Sequence, residues 1–289
     1  MRALEGVREV SAFLRDCGIA DSQKEAEAII SDYAGVGKIA LYRDNPTLSA
    51  CQEEEIYRVL KRRQAREPLQ YIVGLVDFYG LKIKVGPGVL IPRHETELIV
   101  EEAIKTLKLS SLCVTSENRN ALRILDLCTG SGCLALALAK EVRNSQVTGI
   151  DISEKALEYA ALNATINGIT NVTFIKGDLY EPVYGSRFDL IVSNPPYIKR
   201  SEINHLPPEI RTWEPVSALD GGEDGLLFYR GILSRSSDYL ADDGSLIMEL
   251  GHGEAAAVME LAKEAGLKPV SLVKDYAGIE RILHVKQAK

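Results

Sequence analysis

The 289-residue chain has no excess of positive charge, no Cys-x-x-Cys pair and no long uncharged apolar run. Its net charge of −7 argues against a general nucleic-acid binder, which needs a basic surface to meet phosphates, so no direct nucleic-acid contact is expected. The five cysteines (Cys17, Cys51, Cys113, Cys128 and Cys133) are scattered and odd in number, which fits free thiols in a reducing cytoplasm and neither a disulfide frame nor a zinc site. His94, His205, His252 and His284 stand far apart, so no metal centre is expected. No uncharged apolar run approaches the ~20 residues of a membrane helix. Arg2, Glu5, Arg8, Glu9, Arg15 and Asp16 interrupt the first residues, which excludes a signal peptide there. What is present is a 46% hydrophobic composition, enough to fill a core. The expectation is a soluble cytoplasmic protein with no membrane partner.

Up to about Arg66 the signal is helical. Ser22 and Glu25 have capping-box spacing, and Ala26, Ile29, Ile30 and Tyr33 come next on one helical face until Gly35 stops it. Ile56, Val59 and Leu60 repeat that pattern, so these helices should form a small bundle over residues 1–73. Lys61, Arg62, Arg63 and Arg66 read as a solvated face, with an acidic partner as the alternative. Leu81, Ile83 and Val85 alternate with lysines, Gly86-Pro87-Gly88 is a turn, and Val89-Leu90-Ile91 returns as an apolar strand. This predicts a β-hairpin linker over residues 74–92. The polar stretch from Ser110 to Asn120 reads as a surface loop.

From Arg123 strands and helices alternate, the pattern of a doubly wound α/β parallel sheet over residues 93–289. Strands are predicted at residues 123–127, 146–150, 172–176, 188–193 and 245–250, with two further runs at 269–273 and 281–285 completing the sheet. A helix over 153–167 has Ser153 as its cap and Gly168 at its stop.

The first strand ends in Asp126-Leu127-Cys128-Thr129-Gly130-Ser131-Gly132, directly before an apolar helix. Glycines at such a turn let a ligand approach the backbone and point free amides at it. The second strand ends in Asp151, where a carboxylate can accept both ribose hydroxyls of an adenosine cofactor. The third ends near Asp178 and Leu179, an edge and a face for an adenine. Gly130-x-Gly132-x-x-Ala135 also fits a dinucleotide site, which keeps a nicotinamide oxidoreductase as a rival. Asp126 weighs against that rival, because a carboxylate before the turn repels a pyrophosphate but suits the ammonium of S-adenosyl-L-methionine.

The fourth strand runs into Asn194-Pro195-Pro196-Tyr197. Prolines cannot continue the ladder, so the chain leaves the sheet as a stiff lip at a strand's carboxyl end. There Asn194 offers a carboxamide oxygen, Pro195 a carbonyl and Tyr197 an aromatic face, groups suited to a planar NH2. An ordinary strand-to-loop exit has the same sequence, so the lip acquires meaning only beside the cofactor turn.

Together these residues resemble the protein-(glutamine-N5) methyltransferases that modify class I peptide chain release factors, the PrmC/HemK family. The resemblance spans nearly the whole chain. It rests on Arg66-Glu67-Pro68-Leu69-Gln70-Tyr71, on Pro92-Arg93-His94-Glu95-Thr96-Glu97, on Asn194-Pro195-Pro196-Tyr197, and on Ala218-Leu219-Asp220-Gly221-Gly222. It implies a Rossmann-like class I methyltransferase domain with an N-terminal helical domain that recognises the protein partner. The implied cofactor is S-adenosyl-L-methionine, leaving as S-adenosyl-L-homocysteine. Its implied contacts are Cys128, Thr129, Gly130, Ser131, Gly132, Asp151, Asp178, Leu179 and Asn194, to which the reading of the strand ends adds Asp126 and Ile152, with Arg93, Thr96 and Glu97 bordering the pocket. Asn194, Pro195, Pro196 and Tyr197 would hold the substrate amide, with Asn194, Pro195 and Tyr197 as catalytic groups and Tyr197 flanking the amide plane. Cys128 departs from the family, where many relatives have glycine. The implied reaction is methylation of the glutamine in the Gly-Gly-Gln motif of a release factor. Methylation of a ribosomal-protein glutamine or an adenine amine, and a cofactor binder without transfer activity, stay open as alternatives.

Overall fold

A computed structural model describes residues 1–112 and 121–287 of the chain. Two compact units are present. The smaller comprises Met1–Val73 and Pro208–Trp213, the larger Gly74–Pro207 and the chain from Glu214 onward.

The smaller unit is helical, with helices Ala3–Asp16, Ser22–Ala34, Lys38–Asp44, Ala50–Gln64, Leu69–Val73 and the short Pro208–Trp213. Its core takes Ala26, Ile29, Ile30, Ile56 and Val59 from the predicted stripes and adds Leu14 and Leu41. The predicted capping box at Ser22 does not form: Asp21 occupies the cap position. Glu25 is drawn away to Arg63, whose Nε and Nη2 meet its two oxygens at 2.9 and 3.1 Å. The box that does form is at Ser49, whose amide donates to Gln52 Oε1 (2.8 Å) while the Gln52 amide donates to Ser49 Oγ (3.3 Å). The solvated basic face needs correcting too. Arg63 is 1% exposed and also meets Glu209 at 3.3 Å, while Arg66 meets Glu209 at 2.8 Å. An arginine placed on the inner side of its helix must find carboxylates, because an unpaired buried charge is far more costly than a paired one.

In the larger unit a hairpin pairs β1 (Leu75–Phe78) with β2 (Leu81–Lys84) around Tyr79-Gly80. The predicted return strand Val89-Leu90-Ile91 is therefore corrected: it joins neither sheet, and Val89 and Leu90 serve a cavity wall instead. The helix Glu97–Leu112 comes after it. That helix absorbs the first residues of the predicted polar loop, and residues 113–120, with Cys113, lie outside the described residues.

The main sheet comprises β3 (Leu122–Leu127), β4 (Ser145–Asp151), β5 (Val172–Lys176), β6 (Phe188–Ser193), β7 (Leu240–Glu249), β8 (Leu267–Lys274) and β9 (Glu280–Gln287) in the order β5-β4-β3-β6-β7-β9-β8. β5 through β7 are parallel and β9 runs antiparallel to both neighbours. This is the expected doubly wound α/β sheet. Ser153 caps the helix Glu154–Asn167 by accepting from the Ala156 amide (3.2 Å), and Gly168 ends it with φ +65°. Register aligns the strand ends. Leu127 pairs with Ile150 and Ser193, and Ser193 with Met248, so Cys128, Asp151, Asn194 and Glu249 stand in one row at the carboxyl ends of four strands. The chain reverses its direction of strand addition between β3 and β6, where open α/β sheets bind ligands.

Candidate active site

A cavity of about 560 Å³ opens at that row, wholly within the larger unit. Of the predicted site residues, Thr96, Cys128, Thr129, Gly130, Ser131, Asp151, Ile152, Asp178, Leu179, Asn194 and Pro196 line it. Asp126, Gly132, Arg93, Glu97, Pro195 and Tyr197 are not among the residues that line it.

The glycine turn is held from beneath. Asp126 is fully buried, and its Oδ2 accepts from Thr129 Oγ1 (2.5 Å) and from the Ala135 amide (3.1 Å). Burial pushes its pKa up to about 7 against those two hydrogen bonds. Its Oδ1 is buried without a partner, so the turn retains one free acceptor. Gly132 starts the next helix with φ +79°, and a Cβ there would lie 3.0 Å from Ala160 and Phe174. Gly130 has nothing within 4 Å of where a Cβ would stand, which leaves its face open to the cavity.

Cys128 sits at φ +59° and Leu179 at φ +45°, left-handed conformations that non-glycine residues seldom adopt. Both line the cavity, where such strain is characteristically stored. Burial pushes the Cys128 thiol far above its ordinary pKa and the Cys133 thiol up to about 12, so neither is a thiolate nucleophile.

Asp151 closes β4 with both oxygens turned to backbone: Oδ2 accepts from the Gly130 amide and Oδ1 from the Ser153 amide, each at 2.8 Å. Burial raises its pKa, and the amides oppose that shift. Each oxygen retains a lone pair for a further donor. Ile152, 63% exposed, presents a bare apolar side chain to the cavity beside Leu179 and the exposed Asp178.

At the lip, Asn194 donates its Nδ2 to Thr96 Oγ1 (3.1 Å), and its Oδ1 has no protein partner among the described residues. Tyr197 does not face the cavity. Its hydroxyl donates to Glu249 Oε1 at 3.1 Å, and Thr96 donates to Glu249 Oε2 at 2.7 Å. Glu249 escaped the sequence reading, although a charge closing the apolar Leu246-Ile247-Met248 was a signal for it. Arg93 is committed to Glu214, which also accepts from the Ile91 amide at 3.0 Å and so fixes the wall formed by Leu90 and Pro92. Glu97 accepts from the Tyr79 amide at 3.0 Å, tying the hairpin to its helix, and His94 points outward.

The Asp-Gly-Gly segment backs the lip. The Ile198 amide donates to the Leu219 carbonyl (2.9 Å) and the Gly221 amide to the Ile198 carbonyl (2.8 Å). A Cβ on Gly221 would stand 2.7 Å from both the Tyr197 Cα and the Gly225 carbonyl oxygen, so only glycine fits this approach. Gly221→Ala should therefore displace the lip, destabilising the larger unit by about 1–3 kcal/mol and reducing turnover together. A thermal melt paired with a kcat measurement checks this; a variant unchanged in both would show that the lip yields freely.

Comparison with known proteins fits this geometry. A methyltransferase domain family matches residues 118–224, and the PrmC N-terminal domain family matches residues 5–74. The release factor glutamine methyltransferase of Thermodesulfovibrio yellowstonii is 44% identical over 100% of this chain and 99% of its own length. That of Geobacter sulfurreducens is 41% identical over 94% of this chain and 92% of its own. The chain belongs to the release factor glutamine methyltransferase family. The crystal structure of a methyltransferase from Pyrococcus furiosus, 21% identical, superposes with a TM-score of 0.51 over 82% of this chain and 98% of its own, which shows the shared fold. Within this family of methyltransferases the rival nicotinamide reading is not favoured.

Proposed function

We propose that the chain transfers a methyl group from S-adenosyl-L-methionine to the side-chain amide nitrogen of the glutamine in the Gly-Gly-Gln motif of class I peptide chain release factors. One observation carries this reading: the glycine turn, Asp151 and the free Oδ1 of Asn194 face one cavity in one row of strand ends.

The residues present fit the donor. Asp151 keeps a lone pair on each oxygen for ribose hydroxyls, Gly130 leaves room for close approach, and Ile152 and Leu179 offer apolar faces to an adenine. Bound S-adenosyl-L-methionine supplies an electrophilic sulfonium methyl. The chain's own task lies with the nucleophile, because an amide nitrogen shares its lone pair with the carbonyl. Asn194 Oδ1 and the Pro195 carbonyl, which has no donor among the described residues, accept the two N–H bonds of the glutamine. That grip turns the nitrogen lone pair towards the methyl carbon. With the donor bound, the N–C bond would form as the S–C bond breaks, and the nitrogen would lose its proton to water only afterwards, when methylation has made it acidic. Such positioning can lower a barrier by ~7–11 kcal/mol, so the step needs no strong general base.

The helical unit serves as the partner-recognition element, since the larger unit already accounts for donor and lip. Four free cysteines among the described residues suit the cytoplasm, where release factors work. Donor labelled on its methyl group, offered with release factor, ribosomal proteins and DNA, should label only the release factor glutamine. Label on DNA or a ribosomal protein instead would reject the reading. Asp151→Asn should weaken donor binding about 10- to 100-fold by calorimetry, because the neutral amide keeps one acceptor oxygen of two. Unchanged affinity would remove Asp151 from the ribose site.

A further inference from the structure

We infer that Glu249 is a positioning residue, which through Thr96 sets which end of the Asn194 carboxamide faces the cavity. The inference rests on the proposed role of Asn194 and extends it to a residue that touches neither donor nor substrate.

Thr96 has a single hydroxyl hydrogen. Its Oγ1 lies 2.7 Å from Glu249 Oε2 and 3.1 Å from Asn194 Nδ2. A carboxylate can only accept, so Thr96 gives its hydrogen to Glu249 and has only lone pairs left for Asn194. Asn194 must then turn its NH2 towards Thr96, and Oδ1 is the end left for the cavity. Tyr197 reaches the other oxygen of the same carboxylate at 3.1 Å, so one group fixes both the first and the fourth residue of the lip. The sheet register brings this about, since Ser193 and Met248 are paired neighbours one residue before Asn194 and Glu249.

Packing does not explain this carboxylate. Glu249 is 2% exposed and makes no ion pair within 4 Å among the described residues. The charged and titratable groups around it are Glu95 from the turn before the helix Glu97–Leu112, Tyr197 from the lip, Tyr229 beneath its backbone, Arg281 from β9 and Cys133 from the helix after the glycine turn. Arg281 pairs with Asp275 (3.1 Å) and reaches Glu249 only through the field of its charge, which favours the ionised carboxylate. Tyr229 donates to the Glu249 backbone carbonyl (3.0 Å) and makes no hydrogen bond to the side chain. A buried carboxylate without a cation is destabilising where an apolar residue of similar size would not be. Its two hydroxyl partners at the lip are what the carboxylate provides in return.

Protonation reverses the relay. Once Oε2 carries a hydrogen it donates to Thr96, Thr96 donates to Asn194 Oδ1, and the NH2 is left facing the cavity, where two donors meet. Burial raises the Glu249 pKa, so the active, ionised form is lost as pH falls through that raised pKa.

The test is steady-state methylation of release factor by the full-length protein across pH, with donor affinity measured in parallel. Glu249→Gln cannot ionise but can still offer Thr96 a carbonyl oxygen, so it should erase the acid limb of the kcat profile and leave donor affinity near wild type. Thr96→Val, which keeps shape and removes the hydroxyl, should erase the acid limb and also lower kcat by about 10- to 100-fold even if Glu249→Gln folds poorly, and Thr96→Ser should recover most of the loss. Wild-type kcat and an intact acid limb in a folded Glu249→Gln or Thr96→Val protein overturn the inference. Absence of release factor methylation by the wild type would instead reject the functional reading on which it rests.

Discussion

Asn194→Ala is expected to lower kcat by about 100- to 1,000-fold, the range seen when a single preorganised hydrogen-bonding group is removed from a transition state. Donor affinity should change little, because Asp151 and the glycine turn do not depend on the carboxamide. The two effects separate cleanly. Calorimetric titration with the donor reports the cofactor end, and single-turnover methylation of release factor reports the lip. Asn194→Asp should be nearly as poor. It keeps an oxygen for the substrate, but it has no NH2 for Thr96 and sets a second carboxylate near Glu249. Turnover near wild type in the alanine variant would show that the Pro195 carbonyl and the cavity walls suffice, and the lip would lose its catalytic role.

The second large effect concerns the helical unit. Arg63→Ala should destabilise it by about 3 kcal/mol, the low end for a broken ion pair, because Arg63 is buried but Glu25 and Glu209 are only partly so. Glu25 loses a bidentate partner, Glu209 keeps only Arg66, and the Glu67 carbonyl loses a donor at 2.5 Å. The only tryptophan, Trp213, belongs to this unit, so its fluorescence during urea unfolding reports the unit directly. The loss has a pH signature. Burial raises the Glu209 pKa, but the Arg66 hydrogen bond and both arginine charges overcome it and hold the folded value below normal. A depressed folded pKa stabilises above the unfolded value and loses that contribution as pH falls through the folded one. The gap between wild type and variant should therefore be widest near neutrality and narrow in acid. An unshifted transition would mean that the carboxylates find water at no cost.

The sheet was legible because parallel strands buried on both faces write themselves as apolar runs, and the residues that end them stand out. Asp151, Asp178 and Asn194 were visible in that way, as was Ser153 at its cap. The failures share a cause: a local pattern lost to a partner distant in sequence. Ser22 and Glu25 have the spacing of a cap, but Arg63 supplies a stronger ligand for Glu25 than a backbone amide. Val89-Leu90-Ile91 is apolar like a strand, yet Val89 and Leu90 line a cavity. Tyr197 looked like a platform for an amide, and only the neighbouring strand shows that its hydroxyl is claimed by Glu249. Glu249 itself carries no local signature beyond its charge. Its meaning comes from register, which a single strand does not encode.

The membership of Pro208–Trp213 in the helical unit bears on the order in which the protein is made. A ribosome that has just added Val73 has supplied every long helix of that unit but not Glu209, so Arg63 and Arg66 emerge before their shared carboxylate exists. About 140 further residues must be added first, which at roughly 5–20 residues per second takes ~7–28 s. For that interval the nascent bundle carries two cations that lack the carboxylate between them. Completion of the first unit thus waits on synthesis of most of the second.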